Sequence, residues 1–211
     1  APGGTEVEKL VVRWLGELIS YSKTAHGLLT SGGSMANLTA LLIASRRKLG
    51  KETARTGLWN GGPPITIYTS DEVHMSIPKA ADILGFGRDH VRMIRCDDRA
   101  RMNVHELRER IQADLTNGLK PFCIVASAGT VNTGAVDPLK EIAAVAREFD
   151  LWLHVDGAYG APAALDARKK SLFAGLELAD SVSLDPHKWL YVPVDAGCLL
   201  FRDEATAKAA F

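Results

Sequence analysis

The sequence predicts an α/β protein in which helices cover both faces of one mainly parallel, seven-stranded sheet. Two observations lead to this fold class. Apolar runs typical of strands alternate with segments of helical periodicity over nearly all of the 211 residues. No internal repeat or shift in composition marks a boundary along the chain, so we expect one domain over residues 1–211.

The helices are predicted where apolar residues return every three or four positions. In the first of them, Val11, Leu15 and Leu18 fall on one face, with polar residues between them. A helix with one apolar stripe packs that stripe against a core. The predicted helices are Thr5–Ser20, Ser34–Leu49, Ile77–Leu84, Asn103–Leu115, Leu139–Phe149 and Ser171–Leu178.

The strands are predicted where short apolar runs lie between turn-forming residues. Continuous apolar runs are typical of strands that are buried on both faces of a parallel sheet. The predicted strands are Gly27–Ser31, Ile65–Ser70, Val91–Cys96, Phe122–Ala126, Leu151–Asp156, Ser181–Asp185 and Gly197–Arg202. The segment Thr56–Pro64 is rich in glycine and proline and is predicted to be a loop.

Composition excludes several classes of protein. The 25 basic residues balance 25 acidic ones, so the chain lacks the basic excess with which proteins neutralise nucleic-acid phosphates. No apolar run approaches the roughly 18 residues that a membrane span requires. The first residues also lack the pattern of a signal peptide, so we expect a cytoplasmic protein. The cysteines, Cys96, Cys123 and Cys198, are predicted to be reduced core residues.

Small polar residues gather where five of the predicted strands end. The clusters are Ser31–Ser34, Ser70–His74, Ser127–Thr130, Asp156–Tyr159 and Asp185–Lys188. Any one of them is explained by the turn-forming tendency of such residues. Because ligands of open α/β sheets bind beyond the carboxyl ends of the strands, the five together predict a binding site at one edge.

The run GLLTSGGSMANLTALL, residues 27–42, joins a strand to a helix through two glycines. The first N–H groups of that helix and the Ser34 hydroxyl would lie at the positive end of the helix dipole, which favours a phosphate or another anion. A plain serine cap after a glycine turn explains the pattern equally well.

A second interpretation of the same turn is a nucleophile elbow. Gly32, Ser34 and Ala36 nearly match the G-x-S-x-G pattern of α/β-hydrolases. Asp156 and His187 then follow in the Ser…Asp…His order of that class. Under this interpretation Ser34 would be a nucleophile.

The run SLDPHKW, residues 183–189, places two nitrogen side chains at the end of a strand that Pro186 breaks. Desolvation and a neighbouring positive charge can hold a lysine such as Lys188, beside His187 and Trp189, as the neutral amine. A neutral amine is what Schiff-base chemistry requires. The alternative is an ordinary surface lysine.

Asp156 ends an apolar strand, so its carboxylate is predicted to be partly buried and to need a partner. Enzymes that use pyridoxal phosphate (PLP) place such an acid at the pyridine nitrogen to keep the ring protonated. Small residues after it, Gly157, Ala158 and Gly160, would let a flat ring approach the backbone. The alternative is a carboxylate that caps the following turn.

His74 lies just past a predicted strand end. It could stack on an aromatic cofactor, act as a base or cap the helix that follows. Ligand-type residues such as His154 and His187 show no tight metal-binding spacing, so we predict no metal site.

Four motifs together resemble the group II PLP-dependent amino-acid decarboxylases, which include the aromatic-L-amino-acid and glutamate decarboxylases. The motifs are GLLTSGGSMANLTALL, DEVHMSIPKAA, HVDGAYGA and DSVSLDPHKW, in the order and spacing of the family. The resemblance implies the aspartate-aminotransferase-like fold, PLP fold type I. It further implies that Lys188 forms the internal aldimine, Asp156 pairs with the pyridine nitrogen, His74 stacks on one face of the ring and Ala158 packs on the other.

The resemblance also implies a phosphate site. Gly33, Ser34 and Asp185 match its positions, His187 lies beside them, and Thr130 lies near the cofactor and the substrate carboxylate. Many members of the family have asparagine where this chain has Asp185. A carboxylate beside a phosphate dianion is unfavourable unless His187 is cationic or Asp185 faces away.

As a member of this family, the chain would decarboxylate an L-amino acid, with aromatic substrates favoured, to the amine and CO2. It would act as a homodimer, without a nucleic-acid or membrane partner. The chain is shorter than the family, which implies the PLP-binding large domain without the family's N-terminal segment and C-terminal domain. The alternatives are another PLP lyase or a transaminase of this fold, a hydrolase using Ser34, and a PLP-binding but catalytically incomplete fragment.

Overall fold

Seven strands form one sheet in this computed structural model, which describes residues 2–22, 24–58 and 62–211. The strands are β1 His26–Thr30, β2 Ile65–Ser70, β3 Val91–Ile94, β4 Lys120–Ser127, β5 Trp152–Asp156, β6 Ser181–Leu184 and β7 Gly197–Phe201. All seven lie where strands were predicted, with ends that differ by up to two residues. Of the predicted loop Thr56–Pro64, residues 59–61 lie outside the described residues.

The sheet order is β1-β7-β6-β5-β4-β2-β3. Strand β7 runs antiparallel to both of its neighbours, and the other pairs are parallel. The predicted, mainly parallel sheet is therefore confirmed. The carboxyl ends of the six strands other than β7 lie at the same edge, which brings the predicted polar clusters together.

Helices cover both faces of the sheet, as predicted. The helices are α1 Pro2–Leu18, α2 Gly33–Leu49, α3 Thr53–Thr56, α4 Ser76–Ile83, α5 Val104–Thr116, α6 Leu139–Glu148, α7 Pro186–Trp189 and α8 Glu204–Lys208. Successive residues of β4 pack into different cores, one on each face of the sheet. Ile124 packs into a core with α1, α5 and α6. Its neighbour Val125 packs on the other face, in a second core formed with α2, α4 and α8.

The predicted helix Ser171–Leu178 is wrong. The segment forms two 3₁₀ turns, Lys170–Phe173 and Leu176–Leu178, with Gly175 between them. Gly175 has a φ of 105°, a left-handed conformation that a helix cannot continue through. A Cβ there would also lie 2.5 Å from the backbone nitrogen of Lys140, so the backbones meet too closely for a side chain.

The cysteine prediction is confirmed in part. All three thiols are free, and Cys123 and Cys198 are buried in strands. Cys96 is half-buried and lies two residues beyond the end of β3, so it is not a core residue. Within the described ranges, no helix is both long enough and apolar enough to cross a membrane.

Candidate functional site

A cavity of about 400 Å³ opens at the carboxyl edge of the sheet. Residues from all five of the predicted polar clusters line it. Every predicted site residue is among them, namely Gly33, Ser34, His74, Thr130, Asp156, Ala158, Asp185, His187 and Lys188. The fold therefore brings all of the predicted site residues together around one cavity.

The Asp156 carboxylate, at the end of β5, is held by three donors. Its Oδ1 accepts hydrogen bonds from the Ser183 hydroxyl at 3.1 Å and from the Ala158 backbone N–H at 3.1 Å. Its Oδ2 accepts from the Asn37 amide at 2.8 Å. The contact with the Ala158 N–H is the predicted cap of the following turn, and the Ser183 and Asn37 side chains add two further hydrogen bonds. The three donors fix the orientation of a carboxylate that is only 8% exposed.

Sequence reasoning missed Asn37 and Ser183. Asn37 lies on the buried face of α2, in register with Ala40, Leu41 and Ala44, and is 1% exposed. A polar residue at a buried helical position was the available signal, because such a side chain needs partners. Ser183 gave no comparable signal, since only the pairing of β5 with β6 sets it opposite Asp156.

Lys188 pairs with the aspartate three residues before it. Its Nζ lies 3.0 Å from Asp185 Oδ2, and His187 Nε2 lies 3.7 Å from the same oxygen. The lysine side chain is 34% exposed. The prediction of a desolvated amine beside a positive charge is therefore wrong, because the partner of the amine is a carboxylate.

Asp185 does not face away from the site. It is 2% exposed, and its Oδ1 has no hydrogen-bond partner in the described part of the chain. The ion pair with Lys188 offsets its charge. His187 Nδ1 accepts the Ala196 N–H at 3.0 Å, which fixes the orientation of the imidazole.

His74 caps α4 while its ring lines the cavity. Nδ1 accepts the Ser76 backbone N–H at 3.2 Å and lies 2.9 Å from the Ser76 hydroxyl oxygen. His74 therefore does cap the helix that follows it, and its ring is still accessible to a ligand in the cavity. Thr130 is buried, and its hydroxyl lies 2.7 Å from that of Thr133.

The glycine turn before α2 is packed against the cavity wall. A Cβ on Gly33 would lie 2.8 Å from both Ala158 Cβ and Asp185 Oδ2, closer than real contacts allow. The first N–H groups of a helix have no intrahelical partner, so this end of α2 presents donors to the cavity.

Gly33→Ala is expected to lower the free energy of unfolding by about 1–3 kcal/mol, because the added methyl group must displace its neighbours. It should also weaken binding of an anion at this turn. Urea unfolding measures the first effect, with Ser34→Ala at the neighbouring exposed position as the control. Equal urea midpoints for Gly33→Ala and the wild type would contradict the close packing.

The geometry does not support the nucleophile elbow. Among the described residues, no hydrogen bond joins the Ser34 hydroxyl to an imidazole, and none joins Asp156 to His187. Asp156 is instead committed to Asn37, Ser183 and Ala158. In the same ranges, no group of three or more histidine, cysteine or acidic side chains is placed to hold a metal ion.

A buried histidine lies behind the site. His154 Nε2 is 2.9 Å from Asn37 Oδ1, and its Nδ1 is 2.9 Å from the Ser181 hydroxyl. Burial lowers the pKa of His154 to about 4, although the nearby Asp156 carboxylate opposes the shift. The imidazole is therefore neutral at pH 7.

Acid is expected to destabilise the fold through His154. The ordinary pKa of a histidine is about 6.5, so between roughly pH 6.5 and 4 the unfolded chain binds a proton that the folded chain does not. The stability lost over this range is on the order of 3 kcal/mol. Burial also raises the pKa of Asp137 to about 6, which stabilises the fold as the pH falls and partly hides the loss.

Comparison with His154→Gln removes the contribution of Asp137. Urea unfolding at pH 7 and pH 4.5 should show a larger acid-induced loss in the wild type than in the variant. If the two proteins lose the same free energy, His154 is not the neutral buried group described above.

The whole chain, residues 1–211, matches the family model described as the pyridoxal-dependent decarboxylase conserved domain. The chain belongs to this family. It is 41% identical to an aromatic-L-amino-acid decarboxylase of Bacillus atrophaeus, over 99% of this chain and 42% of the relative. It is 40% identical to an L-2,4-diaminobutyrate decarboxylase of Rhizobium meliloti (strain 1021), over 97% of this chain and 39% of the relative.

Solved structures of the family share the fold. Mouse CSAD superposes with a TM-score of 0.94 at 35% identity, over 100% of this chain and 44% of that one. Oryza sativa TDC with PLP and tryptamine superposes with a TM-score of 0.90 at 30% identity, over 100% and 44%. The predicted fold type I large-domain architecture is confirmed. The chain spans about two fifths of the length of the curated relatives named above.

The residues of the cavity fit the family's cofactor, PLP. The fixed Asp156 carboxylate suits a protonated ring nitrogen, and the Lys188 amine suits the aldehyde. The N–H donors at the start of α2 suit a phosphate group. The charge of Asp185, which lies beside this turn, is offset by its ion pair with Lys188. The cavity thus offers an acid, an amine and an anion-binding turn to one ligand.

Proposed function

We propose that this chain is the PLP-binding part of an L-amino-acid decarboxylase and that aromatic amino acids are its preferred substrates. One observation carries the proposal. In a chain that matches the decarboxylase family over its whole length, the cavity combines the triply hydrogen-bonded Asp156 with the amine of Lys188. On this proposal, residues 1–211 form one cofactor-binding domain.

Bound PLP supplies an aldehyde that condenses with amines and a protonated pyridine ring that accepts the electrons left when CO2 departs. Lys188 supplies the chain's own amine for that condensation, and its pairing with Asp185 holds the side chain in place. Asp156 holds the proton on the ring nitrogen by its negative charge. This residue therefore stabilises charge that develops during the reaction.

Other cavity residues hold and orient the cofactor. Gly33 and Ser34, at the start of α2, would hold the phosphate through backbone N–H groups and a hydroxyl. His74 and Ala158, which both line the cavity, would hold the cofactor ring, and Thr130 would help to bind the substrate carboxylate. Asp185 and His187 hold Lys188 and the adjoining turn.

One feature of the cavity supports an aromatic substrate. An exposed aromatic pair, Tyr159 and Trp189, lies at this edge with ring centroids 6.0 Å apart and planes at 81°, and Tyr159 lines the cavity. Aromatic side chains pack well against such edge-to-face pairs. Relatives of similar identity include an aromatic-L-amino-acid decarboxylase, alongside decarboxylases named for diaminobutyrate and aspartate.

A substrate panel tests the proposal. The 211-residue chain with PLP is given L-tryptophan, L-tyrosine, L-DOPA, L-glutamate and L-2,4-diaminobutyrate, and both CO2 and amine are measured. CO2 release that is fastest with the aromatic acids supports it. Release from other substrates alone overturns the substrate class, and amino-group exchange without CO2 indicates a transaminase. PLP binding with neither reaction indicates a cofactor-binding part that is not sufficient for catalysis.

A second copy of the chain is the partner that we propose. Apolar side chains are exposed beside α7, with Tyr191 96% and Val194 77% accessible, and Val131 is exposed on the cavity wall. An apolar surface of this kind is typical of an interface, and a two-fold axis would let each copy cover the other's cavity mouth. Light scattering in the presence of PLP should give the mass of a dimer, whereas a monomer at high concentration would contradict this.

A further inference from the structure

A continuous chain of hydrogen bonds runs behind the cavity and divides at Asn37. It starts at Trp152, whose Nε1–H donates to the Ser181 hydroxyl at 3.0 Å. Ser181 is 2.9 Å from His154 Nδ1, and His154 Nε2 is 2.9 Å from Asn37 Oδ1. All four side chains are buried, so each hydrogen bond is made away from water.

The direction of these bonds follows from the donors available. A carboxylate can only accept, so the Asn37 group facing Asp156 Oδ2 must be its NH2, which leaves Oδ1 to face His154. His154 therefore donates from Nε2. Because this imidazole is neutral at pH 7, its Nδ1 accepts from the Ser181 hydroxyl, which in turn accepts from Trp152.

The second N–H of Asn37 reaches the other side of the site. It donates to the Ser76 hydroxyl oxygen at 2.9 Å, which leaves the hydroxyl hydrogen free for His74 Nδ1 at 2.9 Å. The backbone N–H of Ser76 donates to the same Nδ1 at 3.2 Å. Both donors point at Nδ1, so the proton of a neutral His74 ring lies on Nε2.

We propose that Asn37 is a positioning residue that fixes two groups of the cavity at once: the Asp156 carboxylate and the Nε2–H tautomer of His74. One amide hydrogen goes to each branch, and the oxygen is anchored by His154. The effect of this coupling on catalysis rests on the proposed function. The hydrogen-bond pattern itself does not, because it exists in the protein without cofactor.

Nuclear magnetic resonance of the cofactor-free protein tests the pattern. In the neutral form of each ring, imidazole nitrogen shifts should show the proton of His74 and that of His154 on Nε2 and none on Nδ1. A wild-type His74 that carries its proton on Nδ1 would overturn the proposal without any variant. The carboxyl carbon shift of Asp156 reports on the other branch.

Three variants separate the branches. Ser76→Ala should move the His74 nitrogen signals and leave the Asp156 signal unchanged, whereas Ser183→Ala should do the reverse. Asn37→Leu, of similar volume, should move both. If Asn37→Leu does not fold, Asn37→Ser, which is too short to reach both partners, should give the same double shift. A folded Asn37 variant in which either signal stays at the wild-type position overturns the coupling.

In the PLP-loaded protein, Asn37→Leu should lower kcat about 10- to 100-fold and leave KM for the amino acid within about twofold, as expected for lost orientation rather than lost substrate binding. An unchanged kcat together with the double shift would overturn the catalytic part of the proposal. If the wild type shows the predicted tautomers but binds no PLP, the proposed function fails and the hydrogen-bond assignment stands.

Discussion

Lys188→Ala is expected to abolish covalent attachment of PLP and to lower turnover at least ~10³-fold, a barrier increase of about 4 kcal/mol. The reason is positional. Lys188 is the only lysine among the described residues that line the cavity, so no other amine is placed to replace it. Borohydride reduction of the PLP-loaded wild type, followed by peptide mapping, should place the pyridoxyl group on Lys188.

Lys188→Arg is the matched control, because it keeps a cation beside Asp185 without an amine that condenses with aldehydes. Both variants should lose the attachment. The alanine variant should also be the less stable of the two, since it leaves the buried Asp185 carboxylate without its partner. A pyridoxyl group on Lys79 or Lys120 in the wild type would show that the site is assigned wrongly.

Much of this site could be predicted because parallel strands end at a common edge. His74, Asp156 and Lys188 are far apart in sequence, yet each follows a strand whose apolar pattern is plain. Placing those strands in one parallel sheet was enough to bring the three side chains to one cavity. This prediction required only the edge of the sheet at which each strand ends, and not the contacts between the side chains.

The partners of these residues could not be predicted in the same way. Ser183 meets Asp156 because β5 and β6 pair in one particular register, and a slip of one residue would turn its side chain to the other face. Asn37 and Ser76 meet only where α2 crosses α4. These contacts depend on packing, which the periodicity of a single segment does not specify.

One error had a different origin. Asp185 stands three residues before Lys188, and side chains at this spacing on a helical turn lie close together. The sequence alone was therefore enough to predict their ion pair. The family resemblance implies a phosphate position for Asp185 beside His187, and no pairing with Lys188. The pair shows that the charge of Asp185 is accommodated by the lysine itself.

Asp156→Asn is expected to reduce turnover of the PLP-loaded protein at least ~100-fold, or about 3 kcal/mol of barrier, while PLP still binds, more weakly. The amide keeps the shape of the carboxylate and loses the charge that, on the proposed function, holds the ring nitrogen protonated, so the ring would accept electrons less readily. Turnover within about twofold of the wild type, worth only ~0.4 kcal/mol, would show that Asp156 does not have this role.

Asp156→Asn should also lower the stability of the fold, and this effect must be separated from the loss of turnover. An asparagine has one acceptor oxygen, and its NH2 would face either the Asn37 amide or the Ala158 N–H, both of which are donors. The unsatisfied pair should lower the free energy of unfolding by about 1–3 kcal/mol. Ser183→Ala removes one donor and keeps the charge, so it should alter stability more than turnover. Urea unfolding and turnover of both variants, measured side by side, therefore separate the role of the charge from that of the hydrogen bonds. If Ser183→Ala loses as much turnover as Asp156→Asn, the effect comes from the position of the carboxylate and not from its charge.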